Sequence, residues 1–99
     1  MYNISDIIKC EADTCYTNIY LNNGEKIIVS KAINNFEKIL SELGFSRIHS
    51  KYLVNMRYIE RYKKAKTSEV VLTDGSELPI SRNYKVSFED DMKHSAKLI

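Results

Sequence analysis

At 99 residues the chain has room for one domain with a modest core, and 43% hydrophobic with 28% charged residues is the balance of an ordinary globular protein. No apolar run approaches the roughly 18 residues of a membrane-spanning helix, and the start Met1-Tyr-Asn-Ile-Ser-Asp6 lacks the basic and apolar stretches of a secretory signal, so a cytoplasmic protein is expected. A net charge of +2 excludes nucleic-acid binding by bulk attraction and leaves the decision to how the charges are distributed.

Ile7–Glu11 and Tyr16–Leu21 are short β-prone runs, and Asn22-Asn-Gly24 before Glu25–Val29 is a hairpin signal because Asn and Gly tolerate positive φ. The first third is therefore predicted to be a meander of strands. Cys10 and Cys15, with no second cysteine pair, do not form a zinc pattern and are expected to be free thiols.

Ser30 stands where a helix cap would be. Ala32, Ile33, Phe36, Ile39, Leu40 and Leu43 follow at helical spacing, and Gly44 stands where a left-handed C-cap is needed. This predicts one amphipathic helix over 31–43. Strands are expected at Phe45–His49, Tyr52–Met56, Tyr58–Lys63 and Glu69–Leu72, with Thr73-Asp-Gly75 turning the last into Glu77–Ile80. Pro79 suits an edge strand, and Ser81 can cap a short helix from Arg82 toward Met92.

Charge is uneven along the chain. Between residues 47 and 66 lie Arg47, Lys51, Arg57, Arg61, Lys63, Lys64 and Lys66 against the single acid Glu60, while acids gather at Glu89-Asp90-Asp91. The middle of the domain is locally basic. Catalysis lacks a constellation: Glu25, Glu37 and Glu42 fall on a turn or a solvent-facing helix side, and His49 and His94 are too far apart to form a helical metal pair. The three glycines build no phosphate loop either. No enzyme, metal site or cofactor is expected.

The ordered blocks Ser5-Asp-Ile-Ile-Lys-Cys-Glu-Ala-Asp13, Tyr16–Leu21, Gly24-Glu-Lys-Ile-Ile-Val-Ser-Lys31, Phe36-Glu37, Phe45–His49, Tyr52–Asn55, Ile59 and Leu72-Thr-Asp-Gly-Ser-Glu-Leu-Pro-Ile-Ser-Arg82 closely resemble the LytTR DNA-binding domain. The resemblance covers nearly the whole chain, and several blocks in order at similar separations are far more specific than one short motif. It implies a mostly β fold of short antiparallel sheets with one amphipathic helix and a short C-terminal helix. It implies sequence-specific binding of double-stranded DNA for transcriptional control, with loops entering successive major grooves of direct repeats. A receiver or sensor domain is the implied partner in a longer bacterial two-component regulator, with two copies, as a dimer, on DNA. In the family an additional strand normally precedes the residues matching Tyr2–Ile7, so residues 1–99 read as a single DNA-binding domain excised from the C-terminal part of a regulator. The alternative is a stand-alone protein beginning at Met1.

The resemblance also places candidate contacts. Arg82 lies where the family has an arginine reaching into the major groove, where its fork can bridge O6 and N7 of guanine; Asn83 and Lys85 beside it suit phosphate. His49, Ser50 and Lys51 form a polar turn between strands, with Lys51 expected on phosphate and Ser50 on a base or water. The family often has a long polar residue and then a Ser after the His, so Ser50-Lys51 departs from that order. For His49, a strand-end ring bonded to backbone competes with DNA contact. Asp13-Thr-Cys15-Tyr16 corresponds to the other groove-entering loop but carries no cation; Cys15 and Tyr16 are its candidates, with strand packing the rival reading for Tyr16. Arg47 either supports the His49 turn or touches the backbone.

Two other functions remain in view. Tyr58, Arg61, Tyr62, Lys63 and Lys64 interleave rings and cations as single-strand binders do, against the commoner arrangement of two tyrosines packed on a sheet with cations in water. A protein-interaction module is the other, to be separated from DNA binding by its weak response to salt.

Overall fold

Strands that alternate between two buried faces need cover on both sides, and this chain supplies it with a helix on one side and a second sheet plus a helix on the other. The structure is a computed structural model and describes residues 3–97. The expectations attached to Met1 and Tyr2, including whether the methionine is native, lie outside the described residues.

The strands are β1 (Ile7–Asp13), β2 (Tyr16–Leu21), β3 (Lys26–Val29), β4 (Phe45–Arg47), β5 (Tyr52–Asn55), β6 (Ile59–Lys63), β7 (Glu69–Leu72) and β8 (Glu77–Pro79). The helices are α1 (Ile33–Leu40) and α2 (Arg82–Lys97). All pairings are antiparallel, in a five-stranded sheet of order β3-β2-β1-β5-β4 and a three-stranded sheet of order β6-β7-β8. The mostly β class and the β1-β2-β3 meander are as expected from the sequence. Pro79 sits on the edge strand β8, where its missing N–H costs no ladder bond. The insertion of β5 against β1 is a long-range pairing that local patterns do not encode.

One core lies under α1 and joins Ile33 and Leu40 to Cys10, Ile19, Leu21, Phe45 and Leu53. The other lies between the two sheets and α2 and joins Ile8, Ile48, Val54, Val70, Leu72, Leu78, Ile80 and Phe88. A register shift between Ile7 and Lys9 turns β1 so that Ile8 enters this second core and the nearly buried Lys9 reaches Asp74 of the β7–β8 turn at 3.6 Å.

Both helices depart from their expected bounds. The predicted 31–43 helix is α-helical only over Ile33–Leu40 and tightens to a 3-10 turn over Ser41–Leu43 before Gly44 takes φ 92° as its left-handed stop. Its N-cap is Ala32, without a side-chain cap, so Ser30 does not serve there. Ile39 is 61% exposed, because the two-turn helix turns only the Ile33–Phe36–Leu40 stripe onto the sheet. α2 runs to Lys97 rather than stopping near Met92, since no Gly or Pro follows Arg82 to end it. Phe88 is fully buried, and Ser46 Oγ donates to Asp91 Oδ2 at 2.6 Å, tying the helix to β4.

Candidate nucleic-acid interface

In an antiparallel sheet the turns collect at the strand ends, so strand order decides which turns are neighbours. Because Glu11 of β1 faces Tyr52 of β5, the β1–β2 hairpin tip and the β4–β5 turn lie side by side, and the Ala12 N–H donates to the Lys51 carbonyl at 2.8 Å. On the far side of that turn the Ser81 N–H donates to the Ile48 carbonyl at 2.8 Å, bringing the first residues of α2 to the same end. Three segments separated by tens of residues thus form one edge.

The β1–β2 connection is two residues, Thr14 and Cys15, closed by the Asp13–Tyr16 pair. Thr14 adopts φ 52°, uncommon for a β-branched residue. Cys15 and Tyr16 are exposed, Tyr16 at 48%, and Thr17 behind them is fully buried.

The 49–51 turn is held from below. Arg47 is buried, and its guanidinium donates from Nε to the His49 carbonyl at 2.7 Å and from Nη2 to the Ser50 carbonyl at 2.6 Å, while Nη1 reaches Asn34 Oδ1 at 2.9 Å and Glu37 Oε1. Its face lies 5.6 Å from the Tyr84 ring centre. This planar fork holds two successive carbonyls together with Asn34 and Glu37, four acceptors that the three N–H groups of a lysine could not all serve. His49 is half-buried beside Tyr52, ring centres 5.5 Å apart, and its Nδ1 accepts from the Lys51 N–H at 3.1 Å. With Nδ1 as acceptor the neutral ring carries its proton on Nε2, which is left as a donor. Ser50 and Lys51 are exposed at the tip.

Arg82 and Asn83 are exposed in the first turn of α2. Lys85, half-buried one turn along, lies on the side of Glu89. The Glu89 carboxyl is held below its ordinary range first by the Tyr62 hydroxyl, which donates at 2.7 Å, and then by Lys64 and Lys85. Among the described residues no carboxylate pairs with Lys51 or Arg82.

Sequence reasoning did not single out Asn34 and Tyr84 and set Glu37 on a turn or solvent-facing helix side, whereas all three contact Arg47 and hold it in place. The available signal was Asn34 and Glu37 at i, i+3 on the polar side of a helix. The Tyr58–Lys64 segment has a different character. Tyr58 donates to the Ser5 carbonyl at 2.6 Å, Tyr62 packs edge-on against Phe88, and Lys63 and Lys64 pair with Glu77 and Glu89.

Residues 1–93 match the family described as the LytTr DNA-binding domain. The chain belongs to this family. A relative of the LytTr domain is the Sensory transduction protein LytT of Bacillus subtilis (strain 168), 34% identical over 58 residues, which are 57% of this chain and 24% of that protein. The chain therefore matches about a quarter of that relative's length. Among solved structures, the LytTr DNA-binding domain of a putative methyl-accepting/DNA response regulator from Bacillus cereus superposes with a TM-score of 0.82 at 20% identity, covering 92% of this chain and 84% of that one. That likeness shows that the fold is shared. No described helix is long and apolar enough to cross a membrane.

Proposed function

We propose that this LytTr domain binds double-stranded DNA sequence-specifically to control transcription, with the edge formed by the Thr14-Cys15 hairpin, the 49–51 turn and the start of α2 laid against the duplex. The reading rests above all on the two backbone hydrogen bonds, Ala12 to Lys51 and Ser81 to Ile48, which join three segments rich in candidate contacts. Arg82 reads a base through its guanidinium fork, and Asn83 and Lys85 hold phosphate beside it. Lys51 takes phosphate and Ser50 a base or water. The Nε2–H of His49 is a donor available to either. Cys15 and Tyr16 enter the groove from the hairpin, and Arg47 acts from beneath by fixing the carbonyls of His49 and Ser50.

In this reading the domain is the output part of a cytoplasmic two-component regulator, joined in the whole protein to a receiver or sensor and free of catalysis of its own. Two copies on spaced direct repeats raise a modest single-domain affinity by multivalency. Single-strand binding through Tyr58 and Tyr62 is disfavoured, because both rings are packed and hydrogen-bonded within the fold.

The test is to incubate the domain with a random duplex pool at moderate salt and sequence what is retained. Enrichment of a short motif, above all as direct repeats, is the expected result. Retention without enrichment leaves only backbone affinity and removes base reading; no retention removes the proposal.

A further inference from the structure

The hairpin that the duplex reading sends toward DNA brings no positive charge of its own. Its tip is Thr14-Cys15 and its closing residue, the exposed Asp13, is an acid that phosphates repel. A loop of that character approaches a polyanion only if cations on either side draw it in. Lys51 stands on one side, joined to the hairpin strand through the Ala12 N–H.

The other side is occupied by Lys31. β3 pairs Val29 with Thr17, so its C-terminal end runs beside the base of the hairpin. Two residues on, the Lys31 carbonyl accepts from the fully buried Thr17 Oγ1 at 2.7 Å. That bond pins the Lys31 backbone next to the hairpin while its side chain remains exposed, and among the described residues no carboxylate pairs with it. Strand order then sets the spacing. From the end of β3 to the start of β5 there are three strand intervals of about 4.8 Å each, hence about 14 Å, comparable to a major groove about 12 Å wide.

We propose that Lys31 is a phosphate-binding residue of the interface and that Lys31 and Lys51 straddle one major groove, holding the phosphates on its two sides while the uncharged tip of the Thr14-Cys15 hairpin enters between them. The inference rests on the duplex reading and adds to it a cation and a docking register. Lys31 contributes charge without sequence preference; its position fixes where the hairpin enters.

The experiment uses the full chain and two fluorescein-labelled duplexes of equal length, one carrying a site from the pool selection and one with that site scrambled. Anisotropy titrations across salt are run for the unaltered protein, Lys31→Gln and Lys51→Gln, with thermal unfolding of each. The expected result is that Lys31→Gln lowers the slope of log affinity against log salt by about 0.9, one phosphate's worth, on both duplexes while leaving the unfolding midpoint in place. Phosphate-ethylation interference on the selected site then loses one position in Lys31→Gln, across the groove from the position lost in Lys51→Gln. An unchanged slope for Lys31→Gln overturns the inference alone when the unaltered protein binds both duplexes. A loss confined to the selected site also overturns it, because a phosphate contact cannot read sequence. Failure of the unaltered protein to bind either duplex overturns this inference and the duplex reading together.

Discussion

Arg47 lies buried beneath the turn that follows it and donates from Nε to the His49 carbonyl at 2.7 Å. A second bond from the same guanidinium to Ser50, and a hold on Asn34 and Glu37 of α1, make this side chain the link between a surface turn and the helix behind the sheet. The half-buried His49 and the exposed Ser50 and Lys51 owe their placement to a residue that is itself out of the water.

Replacing Arg47 by Lys keeps the charge but removes the planar fork, and three ammonium N–H groups cannot serve the two carbonyls together with Asn34 and Glu37, so at least one acceptor loses its donor. Hydrogen bonds to a charged group contribute about 1.5–3 kcal/mol each, so Arg47→Lys is expected to cost on the order of 2–4 kcal/mol. Urea unfolding measures the loss. Hydrogen exchange is expected to speed most at the Lys51 amide, whose acceptor is the His49 ring. Unchanged exchange there, with stability retained, removes the supporting role.

Arg82 and Lys51 are expected to fail in different ways. Arg82→Ala should lose about 1–3 kcal/mol on the selected duplex and relax one base position, as loss of a bidentate guanine contact does. Lys51→Ala should weaken all duplexes about equally and lower the salt slope by about 0.9. A repeat of the pool selection with each variant separates the two; an unaltered motif from Arg82→Ala takes that residue out of base reading.

How much of this was legible in the sequence depends on the range of each interaction. Asn22-Asn-Gly24 and Asp74-Gly75 announced their turns because positive φ is a local demand, met by Gly24 and Gly75 at φ 92° and 89°. The Ile33–Phe36–Leu40 stripe announced a helix, but Ile39 and Leu43, which share its spacing, stand exposed. Of the proposed interface, the resemblance marked Arg82, the 49–51 turn and the Asp13–Tyr16 loop. The clamp on Arg47 was hidden because Asn34, Glu37 and Tyr84 meet it only after β4 has docked between α1 and α2. Lys31 was hidden as the first residue of a predicted helix, when it lies two residues before α1 and is held by Thr17.

Asp74 makes stability depend on pH. Burial pushes its carboxyl upward, but the Ser76 hydroxyl at 2.6 Å, the Ser76 N–H at 2.9 Å and the Lys9 ammonium outweigh that and leave it below its ordinary value. A carboxyl lowered in the folded state contributes stability in full above its unfolded value near 4, and that contribution disappears as pH falls through the folded value. Asp74→Asn should therefore cost about 1–2 kcal/mol at pH 7 and much less near pH 2. Urea midpoints at the two pH values test this. A cost equal at both shows that the loss is in packing and not in charge.

Thr14 at φ 52° holds a conformation that glycine adopts without a Cβ penalty. Relief of that strain exceeds the extra backbone entropy of glycine, so Thr14→Gly is expected to stabilise the fold by about 0.5–1 kcal/mol. A lowered unfolding midpoint contradicts it and means that the Thr14 side chain makes a favourable contribution larger than the strain.

The two thiols are expected to react on different terms. Cys10 is fully buried under α1, and burial pushes its thiol up to about 12, so the reactive thiolate is scarce and shielded. Cys15 is exposed at the hairpin tip. Titration of the native protein at pH 8 with a chromogenic disulfide should therefore release one equivalent quickly, from Cys15, and the second only in denaturant. Because Cys15 stands in the proposed groove-entering tip, duplex from the pool selection should slow the fast reaction, and Cys15→Ser should abolish it. A fast second equivalent from folded protein contradicts the buried state of Cys10, whereas a fast first equivalent indifferent to saturating duplex places the hairpin tip away from the DNA.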